Sequence, residues 1–350
     1  MTFGPLPAPR HDPAPIFELY RGAFGTEVLV AACAHLRLFE QFNDGPKTVE
    51  QLGRFLGLQR RPTLVLTTAL RAMGLLHDNA QGQLSPADLA HDHLVPGAPF
   101  DIRGYLGLSA DSPGVLAMVE RLRTNRPAGA EPDGPGAAFI FRDGLESAMD
   151  RADSARSLTM ALAGRARCVA PALAANFPLT ECRVLLDVGG GTGIYSIAYL
   201  RSHGNLRAIV WDHPEVLRVA EEFGREFGVL DRLELRPGDM FADEVPQADA
   251  ILLSNILHDW DEPQAEALVG RLAKALPSGG RLLIHDVFLD DDLGGPLPIA
   301  LYSASLFALT EGRAYSAGEY RQWLRKAGLT PAPIIPTRVH CGLLPSRKIP

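Results

Sequence analysis

Apolar residues recur every three to four positions between Ile16 and about Leu94, with polar residues between them. This period is that of an amphipathic helix. It predicts three short helices, with the sequences FELYRGAFGTEVLVAACAHLRLFEQF, TVEQLGRFLGL and RPTLVLTTALRAMGLL. Thr48 and Gln51 have the spacing of a capping box at the start of the second helix, and Pro62 suits the first turn of the third. The first part of the chain is therefore predicted to be mostly helical.

The segment LLHDNAQGQLSPADLA follows the third helix and has turn residues between two short apolar stretches. That pattern predicts a small hairpin. Helices followed by a hairpin resemble a winged-helix module, so we assign residues 16–100 to a winged-helix-like domain. Residues 1–15 are rich in proline and are predicted to form a flexible N-terminal tail.

From about residue 181 the pattern changes to short apolar runs that alternate with helical segments. The runs are VLLDVG, RAIVWD, LELRPGD, DAILLSNIL and GRLLIHDVFL. This alternation predicts an α/β fold with a mostly parallel sheet and helices on both faces over residues 181–350. Residues 101–180 are predicted to form a connector, irregular over RPAGAEPDGPGAAF and helical over SARSLTMALAGRARCVAPALAANF.

Composition and charge exclude several classes of protein. The chain has 350 residues, 46% of them hydrophobic. A membrane helix needs about 18 consecutive apolar residues, and the sequence contains no such run. A net charge of -7 gives no electrostatic reason to expect nucleic-acid binding. The four cysteines lie far apart without metal-ligand spacing, and the N-terminus lacks a signal-peptide pattern. We expect a cytoplasmic protein with reduced thiols, no metal, and neither membrane nor nucleic acid as a partner.

The segment LLDVGGGTG places Asp187 at the end of an apolar run and a series of glycines directly after it. Glycine lets the backbone turn sharply and come close to a ligand. Gly189, Gly191 and Gly193 are therefore candidates for the binding of a nucleotide-like cofactor. Dinucleotide-binding folds place GxGxxG at the same point, but Ser196 stands where the last glycine of that fingerprint would be.

Further cofactor candidates follow the next predicted strands. Asp212, in AIVWDHP, is suited to accept both ribose hydroxyls of an adenosine, whether in NAD or in S-adenosylmethionine (SAM). In PGDMF, Asp239 can accept the adenine amino group and Met240 can pack on the face of the ring. The segment SNILHDWDE then supplies His258 just beyond a strand.

The segments DVGGGTG, WDHPEV, GDMF and LHDWDE occur in the order and at the spacings of SAM-dependent O-methyltransferases related to plant caffeate-type and bacterial antibiotic-tailoring enzymes. The resemblance covers nearly the whole chain, since that family also begins with a winged-helix dimerisation domain and ends with a segment similar to GRAYSAGEYRQWLRKAGL. It implies a Rossmann-like SAM-binding domain, a homodimer, and a role in secondary metabolism. The implied reaction moves the methyl group of SAM to a hydroxyl of a small phenolic or polyketide-derived acceptor and leaves S-adenosylhomocysteine (SAH).

The resemblance also implies roles for single residues. His258 would take the proton from the acceptor hydroxyl, a task that neutral imidazole suits near pH 7. Asp286, where the family often has glutamate, would hold the histidine ring. Two positions depart from the family pattern. Ser254 stands where many members have lysine or arginine and is still a candidate for the cofactor site, and Ala314 stands where the family often has a second acidic residue facing the histidine.

Acceptor contacts are expected from PLPIALYSASLFALTEG, which falls where related enzymes line the acceptor pocket with a helix. The helical connector, residues 101–180, is also expected to contribute to this pocket. Tyr302 and Phe307 are candidates for contact with an aromatic ring, and core packing explains both equally well.

Two alternatives stay open. Since Ala314 leaves the histidine with one acidic partner, the same scaffold could carry out C- or N-methylation, or SAM-dependent decarboxylation or hydroxylation without methyl transfer. The remote alternative is a ligand-sensing winged-helix protein that binds DNA through the third helix, where the supporting residues are Arg60, Arg61 and Arg71.

Overall fold

The computed structural model describes residues 4–126 and 152–349. The chain divides into two compact units. We call them the sheet unit, made of Met1–Pro15, Glu146–Phe288 and Ala317–Pro350, and the helical unit, made of Ile16–Leu145 and Leu289–Ser316. The predicted irregular segment RPAGAEPDGPGAAF lies outside the described residues apart from its first one. No helix within the described ranges has both the length and the apolar character to cross a bilayer.

The helical unit consists of short helices and one hairpin. Its helices are α1 (Ala14–Val30), α2 (Val49–Leu56), α3 (Arg60–Ala72), α4 (Asp88–His93), α5 (Arg103–Leu106), α6 (Pro113–Thr124) and, later in the chain, α11 (Leu297–Leu309). The hairpin pairs β1 (Leu76–Asp78) with β2 (Leu84–Pro86) antiparallel. Thr48 and Gln51 form the predicted capping box of α2 with both reciprocal hydrogen bonds. The predicted fold class of this part of the chain is confirmed.

Helix α3 lies in the core of the helical unit. Its residues Pro62–Leu70 are all buried. Arg61 donates to the backbone oxygen of Thr310 at 2.9 Å, and Arg71 donates to that of Asp292 at 2.6 Å. A helix that is buried along its length, with two of its arginines held inside its own unit, has no face left to enter a DNA groove. The DNA-binding alternative therefore has no support in the structure.

The sheet unit alternates strands and helices as predicted. Its strands are β3 (Val184–Val188), β4 (Arg207–Asp212), β5 (Leu233–Pro237), β6 (Ala250–Ser254), β7 (Arg281–Val287), β8 (Leu329–Pro331), β9 (Ile335–Pro336) and β10 (Cys341–Lys348). Its helices are α7 (Ala152–Asn176), α8 (Ile194–Ser202), α9 (Pro214–Glu226), α10 (Glu262–Ala275) and α12 (Ala317–Lys326).

The strand order of this sheet is β5-β4-β3-β6-β7-β10-β8, and β9 pairs with β10. The strands from β5 to β7 are parallel, whereas β10 runs antiparallel to β7 and β8. The earliest strand, β3, is in the middle, so the chain builds the sheet outwards first on one side and then on the other. Open α/β sheets bind ligands beyond the carboxyl ends of their strands at this point of reversal. The residues that follow β3, β4 and β6 are therefore candidates for contact with a ligand.

Both compact units are discontinuous in sequence, and this differs from the division predicted from the sequence alone. The segment Leu289–Ser316, which carries α11, belongs to the helical unit. The N-terminal segment belongs to the sheet unit. There, Arg201 donates to the backbone oxygen of Gly4 at 2.8 Å, and the backbone NH of Val339 donates to Asp12 at 3.2 Å.

Candidate active site

The glycine-rich turn after β3 needs glycine for steric reasons. Gly189, Gly191 and Gly193 have positive φ angles of 62°, 60° and 68°, which L-residues with a side chain rarely adopt. A Cβ atom on Gly189 would also lie 2.6 Å from the side chain of Ile256, and one on Gly190 would lie 2.8 Å from Cγ of Asp187. The backbone thus passes close to the strand ends at the point of reversal in the sheet.

Asp187 ends β3 and is fully buried. Its Oδ2 accepts a hydrogen bond from Oγ of Ser196 at 2.7 Å, whereas Oδ1 has no hydrogen-bond partner among the described residues. Burial raises the pKa of Asp187 to about 7, although the bond from Ser196 opposes this shift. In the sequence, Ser196 was notable only because it stands where the GxGxxG fingerprint has its last glycine. In the structure, it is the residue that holds this carboxyl group.

Asp212 ends β4 beside the glycine turn. Its Oδ2 accepts from the backbone NH of Gly191 at 2.8 Å, and its Oδ1 accepts from that of His213 at 2.7 Å. Burial raises the pKa of Asp212, and these two hydrogen bonds act in the opposite direction. Each carboxylate oxygen has two lone pairs, so both can accept a further hydrogen bond. The structure thus brings Asp212 and the predicted glycines together.

Asp239 and Met240 follow β5, the strand next to β4. Asp239 is exposed and Met240 is half-buried. Oδ1 of Asp239 accepts from the backbone NH of Phe241 at 2.8 Å, which fixes the turn. Asp212, the candidate for the ribose hydroxyls, pairs with Pro237 in the sheet. Asp239 and Met240 therefore lie at the same sheet edge as Asp212.

Ser254, at the end of β6, belongs to a chain of hydrogen bonds. Thr337 donates to the backbone oxygen of Cys341 at 2.8 Å, so its Oγ1 accepts from Nε2 of His285 at 3.0 Å. The other ring nitrogen of His285 then accepts from Oγ of Ser254 at 2.8 Å. Burial, helped by Arg165, lowers the pKa of His285 to about 3. His285 is thus a neutral residue that orients Ser254.

Arg165, on α7, is a site residue that the sequence reasoning missed. It is half-buried, donates to Oδ1 of Asn255 at 2.8 Å and lies 2.9 Å from Sγ of Cys341. Its positive charge acts on the pKa values of Tyr195 and His258, among others. The sequence offers no local signal for this role, because Arg165 sits in a helical segment far from the strand-end motifs.

His258 lies in a 3₁₀ turn, Leu257–Asp259, just after β6. Its Nδ1 donates to Oδ1 of Asp286 at 2.6 Å, so the predicted pair is present and the shorter aspartate reaches the ring. Both side chains are buried. Oδ2 of Asp286 accepts from the hydroxyl of Tyr320 at 3.1 Å, a contact that the sequence reasoning missed. With Nδ1 occupied, Nε2 is the basic atom of the ring.

A second carboxylate lies close to the histidine. Oδ1 of Asp259 is 3.6 Å from Nε2 of His258. Burial by itself lowers the pKa of His258, but Asp286 and Asp259 outweigh it and the pKa is raised above its ordinary value. Burial also raises the pKa of Asp259 to about 6, against the effect of His258. The imidazole therefore holds a proton strongly once it has received one.

The two acceptor candidates lie in the helical unit, on α11, whereas the residues described above lie in the sheet unit. The guanidinium of Arg21 stacks on the ring of Tyr302 at 3.6 Å from its centroid. Phe307 is fully buried in the hydrophobic core of the helical unit, with Arg61 over its ring at 4.7 Å. Core packing therefore accounts for the position of Phe307.

Comparison with known proteins agrees with this geometry. A family model described as an O-methyltransferase domain matches residues 141–330. The chain is 36% identical to 3-hydroxy-5-methyl-1-naphthoate 3-O-methyltransferase of Streptomyces sahachiroi, over 92% of this chain and 91% of that protein. It is 30% identical to acetylserotonin O-methyltransferase of Bos taurus, over 89% and 90%.

Among solved structures, an O-methyltransferase family 2 protein of Planctomyces limnophilus in complex with apigenin has a TM-score of 0.89 to this chain. The two share 48% sequence identity over 98% of each chain. The fold, the ordered strand-end motifs and the histidine–carboxylate pair all agree with these similarities. The chain therefore belongs to the family of SAM-dependent O-methyltransferases.

Proposed function

We propose that His258 is the general base of this methyltransferase and that the acceptor is a phenol. The observation that carries this proposal is the hydrogen bond from His258 to Asp286. It fixes the tautomer, keeps the proton on Nδ1 and leaves Nε2 as the only basic atom of the ring. An acceptor hydroxyl that approaches Nε2 gives its proton to this nitrogen as its oxygen bonds to the methyl carbon that is transferred.

The residues at the strand ends fit SAM, which supplies an electrophilic methyl group on a sulfonium when bound. Asp212 would accept the ribose hydroxyls, and Asp239 and Met240 would hold the adenine. The carboxylate of SAM needs a cation, for which the half-buried Arg165 is suited. Its ammonium group needs an acceptor, and Asp187 offers one in Oδ1. The turn that contains Gly189 and Gly191 would lie against the cofactor backbone to backbone, and Ser254, oriented by His285, would add a hydroxyl.

Asp286 and Tyr320 orient the base and stabilise its charged form. After proton transfer the ring is an imidazolium, and Asp286 at 2.6 Å carries the complementary charge. The hydroxyl of Tyr320 holds the other carboxylate oxygen, so Asp286 keeps its orientation towards the ring. Both groups are buried, which excludes water from this side of the base and strengthens the electrostatic interaction.

The names of the similar proteins support a phenolic acceptor. One relative methylates a hydroxynaphthoate at oxygen, another acts on acetylserotonin, and the similar structure binds apigenin. These molecules share a hydroxyl on an aromatic ring. Tyr302, over whose ring the guanidinium of Arg21 lies, stays a candidate for contact with such a ring. The oriented base favours O-methylation over C- or N-methylation and over chemistry in which SAM keeps its methyl group.

The decisive experiment combines binding and turnover. Calorimetric titration with SAM, SAH and NAD should give binding of the first two only. Incubation with SAM and a panel of phenols, including apigenin and hydroxynaphthoic acids, should then give SAH and O-methylated product in equal amounts. SAH without methylated product, or product methylated at carbon or nitrogen, would refute the proposed reaction. A fully active His258→Ala variant would refute the proposed base.

We also propose that the enzyme works as a homodimer through the helical unit. Exposed apolar residues are concentrated there, including Leu19, Tyr20, Tyr105 and Leu108, which are 75–83% exposed. Large apolar side chains left exposed commonly mark an interface between proteins. Sedimentation velocity at micromolar concentration should give twice the mass of the chain, and a monomer would contradict the proposal. The cytoplasmic location and the absence of a metal stay predictions from the sequence.

A further inference from the structure

We propose that Asp12, near the start of the chain, is a positioning residue for the cofactor site. Its carboxylate holds the turn between β9 and β10, and this turn in turn holds groups assigned to the amino-acid end of SAM. The inference rests on the proposed SAM site. It gives the N-terminal segment a role in cofactor binding.

The turn between β9 and β10 has an unfavourable backbone conformation. The backbone NH of Cys341 donates to the oxygen of Arg338 at 3.0 Å. The two residues between them, Val339 and His340, have positive φ angles of 56° and 60°. Turns with two positive φ angles at their centre strongly favour pairs such as Asn-Gly, and a β-branched residue such as valine is strained there. Contacts from outside the turn are therefore needed to keep this conformation.

The N-terminal segment supplies two of these contacts. Both carboxylate oxygens of Asp12 accept from the backbone NH of Val339, each at 3.2 Å. The backbone oxygen of Pro9 accepts from Nη1 of Arg338 at 2.6 Å. Oδ1 of Asp12 also accepts from the backbone NH of Ala14 at 3.0 Å, which orients the carboxylate. Val339 is fully buried, so its NH loses stability when it loses its acceptor.

Both ends of the turn contact the cofactor candidates. At one end, Sγ of Cys341 lies 2.9 Å from the guanidinium of Arg165, the cation proposed for the carboxylate of SAM. At the other end, Thr337 accepts from His285, and His285 orients Ser254. Thr337 also donates to the backbone oxygen of Cys341 at 2.8 Å, which joins the two ends. A shift of the turn would therefore displace both Arg165 and Ser254.

The residue assigned to the ribose lies away from this turn. Asp212 is on β4, and three strands separate β4 from β10 in the sheet. Its carboxylate is held by the backbone of Gly191 and His213. Loss of the contact at Asp12 should therefore affect the amino-acid end of SAM and spare the adenosine end. 5′-Methylthioadenosine has the adenosine and thioether parts of SAM without the amino-acid group, and it provides an internal reference.

The test is calorimetric titration of Asp12→Ala with SAM and with 5′-methylthioadenosine. The Kd for SAM should rise by roughly 3- to 10-fold, a modest change because Asp12 is exposed to water. The Kd for 5′-methylthioadenosine should stay the same. Asp12→Asn keeps an acceptor oxygen, so its affinity for SAM should remain close to that of the parent protein.

A matched control removes a hydrogen bond from the other end of β10. Ser346 is buried and donates to the backbone oxygen of Leu282 at 2.8 Å. Ser346→Ala should leave the affinities for both ligands unchanged, although it loses a buried bond of the same strand. An equal loss of SAM affinity in Ser346→Ala would show that the effect of Asp12→Ala comes from general loosening of the sheet.

The variant His340→Gly tests whether the turn carries the effect. Glycine adopts a positive φ angle without strain, so His340→Gly added to Asp12→Ala should return the affinity for SAM towards that of the parent protein. An absence of recovery would overturn the inference, as would an equal loss of affinity for the two ligands in Asp12→Ala.

Failure of this inference differs from failure of the proposed function. A parent protein that does not bind SAM would show that the proposed cofactor site is wrong. A parent protein that binds SAM, together with an Asp12→Ala variant that binds it equally tightly, would overturn only the role of Asp12.

Discussion

The hydroxyl of Tyr320 donates to Oδ2 of Asp286, the carboxylate oxygen that His258 does not use, at 3.1 Å. The two carboxylate oxygens therefore have separate tasks: Oδ1 holds the histidine and Oδ2 is held by the tyrosine. Tyr320 comes from α12, while Asp286 comes from β7. The orientation of the base thus depends on a contact between two elements that are distant in sequence.

We expect Tyr320→Phe to lower kcat by roughly 3- to 10-fold with little change in the affinity for SAM, because Asp286 then has more rotational freedom. The phenylalanine ring retains the edge contacts with Phe288 and Trp323, at 5.7 and 5.3 Å between ring centroids. Loss of the bond should also cost about 1–3 kcal/mol of stability, since Oδ2 stays buried without a donor. Steady-state kinetics and urea denaturation provide the two measurements.

The matched control for this variant is Tyr199→Phe. Tyr199 is also fully buried in the sheet unit, but within the described part of the chain its hydroxyl has no hydrogen-bond partner. Removal of that hydroxyl should leave both kcat and stability unchanged or slightly increase stability. Equal losses in the two variants would show that the effect of Tyr320→Phe comes from packing.

We expect His258→Ala to reduce kcat by about 10²–10⁴-fold, the usual contribution of a general base. The affinity for SAM, measured by calorimetry, should hardly change, because none of the residues proposed to hold SAM depends on the imidazole. A large loss of SAM affinity together with an unchanged kcat would contradict the assignment, since His258 would then act in cofactor binding.

Local pattern sufficed for much of the fold. The capping box at Thr48 and Gln51, the β1–β2 hairpin and the strand-helix alternation depend on residues close together in sequence, and each was predictable for that reason. The glycine turn and Asp212 follow similarly, because a residue at the end of a parallel strand lies at the same sheet edge as its neighbours.

What could not be predicted depends on tertiary contact. Tyr320 lies in a later helix, and Arg165 reaches Asn255 from α7 across 90 residues of chain. No spacing in the sequence therefore indicates the contacts of these two residues. A division of the chain into consecutive segments also cannot predict that α11, which comes late in the sequence, belongs to the helical unit. Phe307 shows the ambiguity of an apolar helix, in which core packing and ligand contact require the same residue type.

We expect Asp212→Ala to weaken SAM binding by roughly 1–3 kcal/mol and to change kcat at saturating SAM much less. Asp212 also anchors the turn through the backbone NH of Gly191, so the loss includes part of the order of the turn. Isothermal titration calorimetry gives the affinity directly. Asp231→Ala serves as the control, because Asp231 has a side chain that is 73% exposed and lies outside the candidate site. Unchanged SAM affinity in Asp212→Ala would move the ribose site elsewhere.

The pKa of Asp187 makes a prediction about stability. Its value of about 7 in the folded protein exceeds the about 3.9 expected in the unfolded chain. Because the pKa is higher in the folded protein, the protonated carboxyl group stabilises the fold. This stabilisation is fully present below the pKa of the unfolded chain and is lost as the pH rises through about 7. Between pH 5 and pH 8 the loss amounts to about 3 kcal/mol.

Asp187→Asn should remove that pH-dependent loss. The amide cannot ionise, yet its oxygen can still accept the hydrogen bond from Ser196. The melting temperature measured at pH 5 and at pH 8 should therefore fall less between these values in Asp187→Asn than in the parent protein. Ser196→Ala should show the opposite change. Without the donor, which lowers the pKa of Asp187, the carboxyl group should stay protonated to higher pH. The loss of stability should then continue to more alkaline values, so the melting temperature should fall more between pH 5 and pH 8 than in the parent protein. Equal pH dependence in the parent protein and in Asp187→Asn would mean that Asp187 is ionised in the fold throughout this range.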